Sequence, residues 1–208
     1  RNTGILEIFG KYIMFVDSDD FLLPGAIDAL LDTAFAHDCD LVEGGAYYVY
    51  DNRKSVMHRY ESDHKVSDPY TLHGHAWGKL YRRKVFACER FPIIKLHEDE
   101  ALVYKLLYRC QKVALVDELL YFYTDNPDSM MANRFKPERM TMIEILDERL
   151  AFYRENGETG DLIRFTQNRQ FMFAAAYYRQ TLHYAPKEWR FRHQLRKRQW
   201  QIYRVLMK

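Results

Sequence analysis

An α/β portion followed by a helical region is the architecture this sequence predicts, and three observations predict it. The stretch "YIMFV", residues 12–16, is a continuous apolar run of strand length, the pattern of a strand buried on both faces of a sheet. Strand-like and helix-like segments alternate from there to about residue 130, and from about Arg134 onward only helical spacing is found. The third observation is bulk: 208 residues with 48% hydrophobic content suffice for a sizeable core.

Each element has a local reason. "RNTGILEIFG" spaces Ile5, Leu6 and Phe9 as a helix does, with Gly10 as its stop. Pro24 suits the opening of the next helix, because its missing N–H is no loss in a first turn. Ile27, Leu30, Leu31, Ala34 and Phe35 then make a helical stripe. "DLVEGGAYYVYD" reads as a second strand and "SVMHRYES" as a third that pairs with it. "WGKLYRRKVFACERF" reads as a short strand or loop, then a helix. "HEDEALVYKLLYRC" is a helix with its acids in the first turn, where the macrodipole favours them. "KVALVDELLYFYT" is strand-like, and its "VDELLYFY" part suggests a turn and a further short strand. In the last third, Met142, Ile143, Leu146, Leu150 and Tyr153 form one stripe, closed by "ENGETG". Leu162, Phe165, Met172, Ala175 and Ala176 form another, and Phe191, Leu195, Ile202 and Leu206 a third. Domains are therefore expected at residues 1–131 and 132–208.

Composition excludes several classes. A net charge of +2 gives no global field for nucleic acid, and no nucleic-acid motif is present. Three cysteines without metal-site spacing argue against a disulfide framework or a zinc site and fit a reducing compartment. No apolar run reaches the roughly 18–20 residues a bilayer span needs. The opening "RNTG", without an initiator Met, is expected of a piece of a longer chain.

Two acidic groups carry the chemistry. "DSDD", Asp17 to Asp20, follows the apolar strand directly, and Asp17 and Asp19 project to one side of an extended backbone. Neighbouring carboxylates repel, so such a group calls for a cation or for donors, and oxygen-only ligands suit Mg²⁺ or Mn²⁺. Strand ends are also where open α/β sheets bind ligands. The same residues suit a plain turn, with Asp20 capping the next helix. A calcium loop is excluded by Leu22 where it needs glycine. The second group is "HEDE", with Glu98, Asp99 and Glu100. It reads either as a helix N-terminus or as the seat of a general base.

Taken in order, "RNTGILEIFGKYIMFVDSDDFLLPGAID", "WGKLYRRKVF" and "HEDEALVYKLLYRCQKVALVDELLYFYTDNPDSMM" resemble the family 2 glycosyltransferases of GT-A fold, over residues 1 to about 131. The resemblance implies a partial GT-A (Rossmann-like) mixed sheet with flanking helices. It implies an inverting, metal-dependent transfer from a nucleotide-sugar donor to a glycan or lipid-linked acceptor, in cell-surface polysaccharide synthesis. Donor contacts fall to Arg1, Asp17, Asp19 and Lys79, and the metal, Mn²⁺ or Mg²⁺, to Asp19. Asp99 matches the catalytic base, with Glu98 beside it. Trp77 and Gly78 match the acceptor side of the cleft, where a tryptophan also suits ordinary packing. The closing segment departs from the family pattern: Tyr121, Phe122, Tyr123 and Thr124, with Ser129 beyond, lack its arginine. The strand–helix–strand–helix unit with which the family begins is also missing, so this piece by itself is expected to be inactive, and either to self-associate or to have a rearranged sheet.

Between Lys187 and Lys208, eight Lys/Arg face one Glu, and aromatic residues alternate with them. This tail suits a packed terminal helix with a solvated basic face, or an interfacial helix on anionic lipid at the inner face of the membrane. Two other functions compete with glycosyl transfer. One is a GT-A-like nucleotidyltransferase, and the other is a degenerate domain acting as a binding or scaffold module.

Overall fold

The structure, a computed structural model, describes residues 1–50, 53–60, 72–126 and 136–206. Ser129 and the expected boundary at residues 131–132 lie outside them. The chain divides into two compact units. One comprises Arg1–Pro92 and Leu102–Ser129, the other Ile93–Ala101 and Met130–Lys208.

The first unit is built on a mixed six-stranded sheet. Its elements are α1 (Asn2–Glu7), β1 (Tyr12–Met14), β2 (Phe21–Leu22), α2 (Ala26–Ala36), β3 (Leu41–Tyr50), β4 (Arg53–His58), β5 (Lys79–Arg82) and β6 (Val113–Thr124). The strand order is β1-β5-β3-β6-β2, with β4 also on β3. Among the described strand pairs, β3 and β6 run parallel and the others antiparallel. The apolar runs work as their alternation requires. Leu41, Tyr81, Val113 and Leu115 enter a core with Ile5, Phe86, Leu102 and Leu106. Their neighbours Val42, Leu80, Ala114 and Val116 enter another with Ala26, Leu30 and Ala34 of α2.

Two sequence expectations change here. The "YIMFV" run gives a three-residue strand at the sheet edge, because only β5 pairs with it among the described residues. Phe15 makes an isolated bridge to Trp77, and Val16 is exposed. "VDELLYFY" does not turn: β6 is one strand, whose register against β3 jumps from Gly44↔Val116 to Gly45↔Leu119. Asp117 and Glu118 bulge out, and the strand continues. The bulge brings Leu120 over Gly44, where a Cβ would sit 2.6 Å from its Cδ1, so any larger residue there would have to displace the Leu120 side chain.

The second unit is helical. It holds the first turn of α3 (Glu98–Arg109), a 3-10 turn at Pro137–Met140, α4 (Thr141–Glu155), α5 (Asp161–Tyr184) and α6 (Trp189–Leu206). Its core joins Met142, Ile143 and Leu146 to Ala174, Tyr177 and Leu195, one stripe from each helix. The rest of α3 belongs to the first unit and packs Leu102, Val103 and Leu106 on the sheet.

Candidate active site

The residues after β1 close a turn. The Asp20 N–H donates to the Asp17 carbonyl at 3.1 Å, as a β-turn requires. Its three carboxylates then meet different neighbours. Asp20 does not cap α2, whose N-cap position is Gly25 at φ 81°. Instead it accepts the Tyr121 hydroxyl at 2.7 Å and the Thr124 N–H at 2.8 Å. Burial pushes the Asp20 carboxyl up, with smaller contributions from Asp17 and Asp19, while those two hydrogen bonds oppose the rise. Asp17 donates its N–H to the Tyr121 oxygen at 3.2 Å, and its carboxylate meets Arg1 Nη2 at 2.6 Å. Asp19 is exposed, with the Asn126 amide at 3.3 Å. So one carboxylate anchors the turn, one is paired with arginine, and one faces outward.

Arg1 is placed by its neighbour. The Asn2 side chain bonds both backbone groups of Phe91, at 2.8 and 2.9 Å, and the Arg1 guanidinium lies 5.3 Å from the Phe91 ring centre. Burial pushes the Tyr121 hydroxyl above its ordinary range, so it stays a donor.

Trp77 is 5% exposed and stacks between Tyr121, at 4.6 Å, and His75, at 3.5 Å. It is a packed aromatic that supports the turn through Tyr121. Gly78 has φ 71°, the left-handed conformation that favours glycine, and carries the chain from Trp77 into β5. Lys79, expected at a phosphate, is instead fully buried. It is the cross-strand partner of Glu43, with Nζ 3.0 Å from Oε1, and it donates to the His75 carbonyl at 2.8 Å. Its charge is committed inside the sheet because a buried carboxylate needs a paired cation.

Around that pair sits a cluster the sequence reading did not find. His58, His73 and His75 approach Glu43 Oε1 at 3.9, 3.4 and 3.9 Å. Burial would raise the Glu43 carboxyl, but Lys79 and the imidazoles hold it at about 2. Burial lowers His58 to about 4 and His75 well below its ordinary value. Two signals were in the sequence: a lone acid inside the apolar run "DLVEGGAYY", and "HGH" just before the tryptophan.

The second acidic group belongs to the second unit. Glu98, Asp99 and Glu100 form the first turn of α3 and are half-buried. Glu100 is held by Arg149 at 2.8 Å and Arg169 at 2.5 Å. Burial would raise its carboxyl, yet the two guanidiniums hold it below the usual range. His97, before the helix, is buried at φ 66° and lies 3.4 Å from the Tyr177 hydroxyl.

Comparison with known proteins follows these features. Residues 1–92 match the family model described as glycosyl transferase family 2. The chain is 32% identical over 143 residues to glycosyltransferase GlyA of Streptococcus pneumoniae, covering 59% of this chain and 20% of that protein. It is 30% identical over 154 residues to the uncharacterized glycosyltransferase EpsJ of Bacillus subtilis, covering 66% of this chain and 44% of that one. The chain thus spans less than half of either relative. Among solved structures it is similar to S. aureus TarS 1-349 in complex with UDP-GlcNAc, at TM-score 0.61 and 18% identity, covering 99% of this chain and 69% of that one. That likeness shows the fold, which is of GT-A type, and residues 1–92 are similar to glycosyl transferase family 2.

Proposed function

We propose that the chain serves an enzyme that moves a sugar from a nucleotide-sugar donor to a hydroxyl of a glycan or lipid-linked acceptor, inverting the anomeric carbon. The observation that carries the reading is the division of labour in the Asp17–Asp20 turn. Asp20 is spent on holding Tyr121 and Thr124, which leaves Asp17 and Asp19 presented on a fixed turn. The family match and the UDP-GlcNAc bound by TarS support a nucleotide-sugar donor.

In this reading Asp17, steadied by Arg1, accepts hydrogen bonds from donor hydroxyls. The exposed Asp19 carboxylate fits Mg²⁺ or Mn²⁺, since such ions are commonly held by one or two carboxylates plus substrate phosphates. A bound ion supplies neutralisation of the charge on the departing diphosphate. Asp99 accepts the acceptor proton as the hydroxyl oxygen bonds to the anomeric carbon and the bond to the diphosphate breaks. Glu98 stands beside it, and Trp77 and Gly78 shape the wall behind Tyr121. Lys79 has no part in the proposal, because its ammonium is buried against Glu43.

Calorimetry with nucleoside diphosphates, uridine first, and Mn²⁺ tests the donor half. Asp19→Ala should lose the metal-dependent binding; unchanged affinity would reduce residues 17–20 to a turn. In the complete protein Asp99→Asn should cut turnover about 10²–10⁴-fold while donor binding survives. Donor binding without any turnover in the unmodified protein would favour a binding module instead.

A further inference from the structure

We propose that Glu43, His58, His73 and His75 form a structural site for a zinc-type transition-metal ion, separate from the acidic turn. One ligand atom from each of the four lies within 4.8 Å of the others. A tetrahedral ion about 2.0–2.1 Å from each ligand would set them about 3.3–3.4 Å apart. The 3.4, 3.9 and 3.9 Å separations from Glu43 Oε1 would have to contract by up to about 0.6 Å, and the widest pair, within 4.8 Å, by up to about 1.4 Å.

Burial and hydrogen bonding point the same way. The Glu43 side chain is 0% exposed, His58 9% and His75 15%. His58 Nδ1 and His75 Nε2 are buried and have no hydrogen-bond partner among the described residues, a condition native structures rarely leave unexplained. His75 Nδ1 lies 2.9 Å from the Trp77 carbonyl oxygen and 3.1 Å from Lys79 Nζ. A bound ion would select the tautomer in which Nδ1 donates to that carbonyl and the unpartnered Nε2 carries the lone pair. An imidazole whose other nitrogen donates to a backbone carbonyl is the usual outer-shell arrangement of a metal-bound histidine. The His58 nitrogen nearest Glu43 is Nε2, 3.9 Å from Oε1 and 3.3 Å from the Gly44 oxygen, so ligation through it would exchange that carbonyl for the ion.

Three imidazoles and one carboxylate favour zinc and its neighbours over Mg²⁺, which prefers oxygen alone. Four protein ligands close the coordination shell, so the role is structural. The ion would join β3, the end of β4 and the 73–75 stretch, fixing the base of Trp77 and through it Tyr121. Lys79 is the competing cation, at 3.0 Å from Glu43 Oε1, and the Tyr60 hydroxyl competes for His73 Nδ1 at 3.2 Å. The bound ion would displace both contacts.

The test is a zinc titration of the chelator-treated 208-residue chain against a chromophoric chelator at neutral pH. A cobalt-loaded sample is read for tetrahedral visible absorption. One ion per chain is expected, undisturbed by millimolar Mg²⁺. His73→Ala, at a side chain 41% exposed and so least needed for packing, should weaken zinc by at least about 10–100-fold, the loss attached even to an outer-shell partner. His75→Gln should do the same, with circular dichroism confirming that each variant is folded. The Asp17→Asn, Asp19→Asn double variant should bind zinc normally. Absence of stoichiometric zinc binding, folded histidine variants that bind as tightly as the unmodified chain, or loss of binding in the aspartate double variant would each overturn the proposal.

Discussion

At the scale of single residues, Tyr121 does more than its place in an apolar strand announces. It is 1% exposed, donates to Asp20 and accepts from the Asp17 N–H. Tyr121→Phe keeps the ring and strands both groups, a cost of about 1–3 kcal/mol per buried unsatisfied group. Thermal unfolding should show that loss, and nucleotide binding should weaken with it. An unchanged melting temperature would mean the turn holds itself. Glu100 is the counterpart in the helical unit. Arg149→Met removes one of its two guanidiniums, and breaking a buried pair costs about 3–5 kcal/mol; the retained Arg169 places this variant near the lower end. The Glu100 pKa is depressed in the fold, so its contribution is present above the unfolded value, about 4.3, and lost as pH falls through the folded one. The unmodified chain should therefore lose more stability than the variant below about pH 4.3. Denaturant midpoints that stay a constant distance apart down to acid would sink this account.

At the scale of elements, α6 packs by one face and leaves the other exposed. Leu195 and Ile202 are buried at 1% and 5%, so the helix packs. Trp189 and Trp200 stay exposed at 62% and 59%, beside exposed Arg196 and Lys197. Basic side chains near an anionic surface contribute about 1 kcal/mol each. Arg196→Glu with Trp200→Ser should therefore weaken binding to phosphatidylserine vesicles by more than about tenfold and flatten its salt dependence. Equal binding by the variant would leave the outer face merely solvated. Among the described residues no helix is long and apolar enough to cross a membrane.

At the scale of the molecule, the sheet ends in β1, whose outer edge pairs with nothing among the described residues. Leu6 and Phe9, on and just after α1, are exposed at 67% and 93%. An open strand edge and exposed apolar side chains each favour association. Sedimentation velocity should show concentration-dependent self-association, reduced by Leu6→Lys with Phe9→Lys. A chain that stays monomeric at high concentration would show that this edge is protected.

Because period 2 and period 3.6 are local properties of an apolar pattern, the sequence by itself determined most of the element order, though neither β2 nor the continuity of β6. It also placed the two acidic groups at the ends where strands and helices present charge. The tertiary structure decided partners. Nothing near Asp20 announces Tyr121, which is 101 positions away, and Asp20 reads locally as a helix cap. Nothing near Lys79 says that it is buried: the register that sets it opposite Glu43 does so. The pairing of β4 with β3 and the residues leading into β5 converge three histidines on that carboxylate, and the bulge at Gly44 and Gly45 turns "VDELL" from an apparent turn into continuous strand. A buried charge must find its counter-charge wherever the sheet places it, so local pattern names the charge and only pairing names its partner.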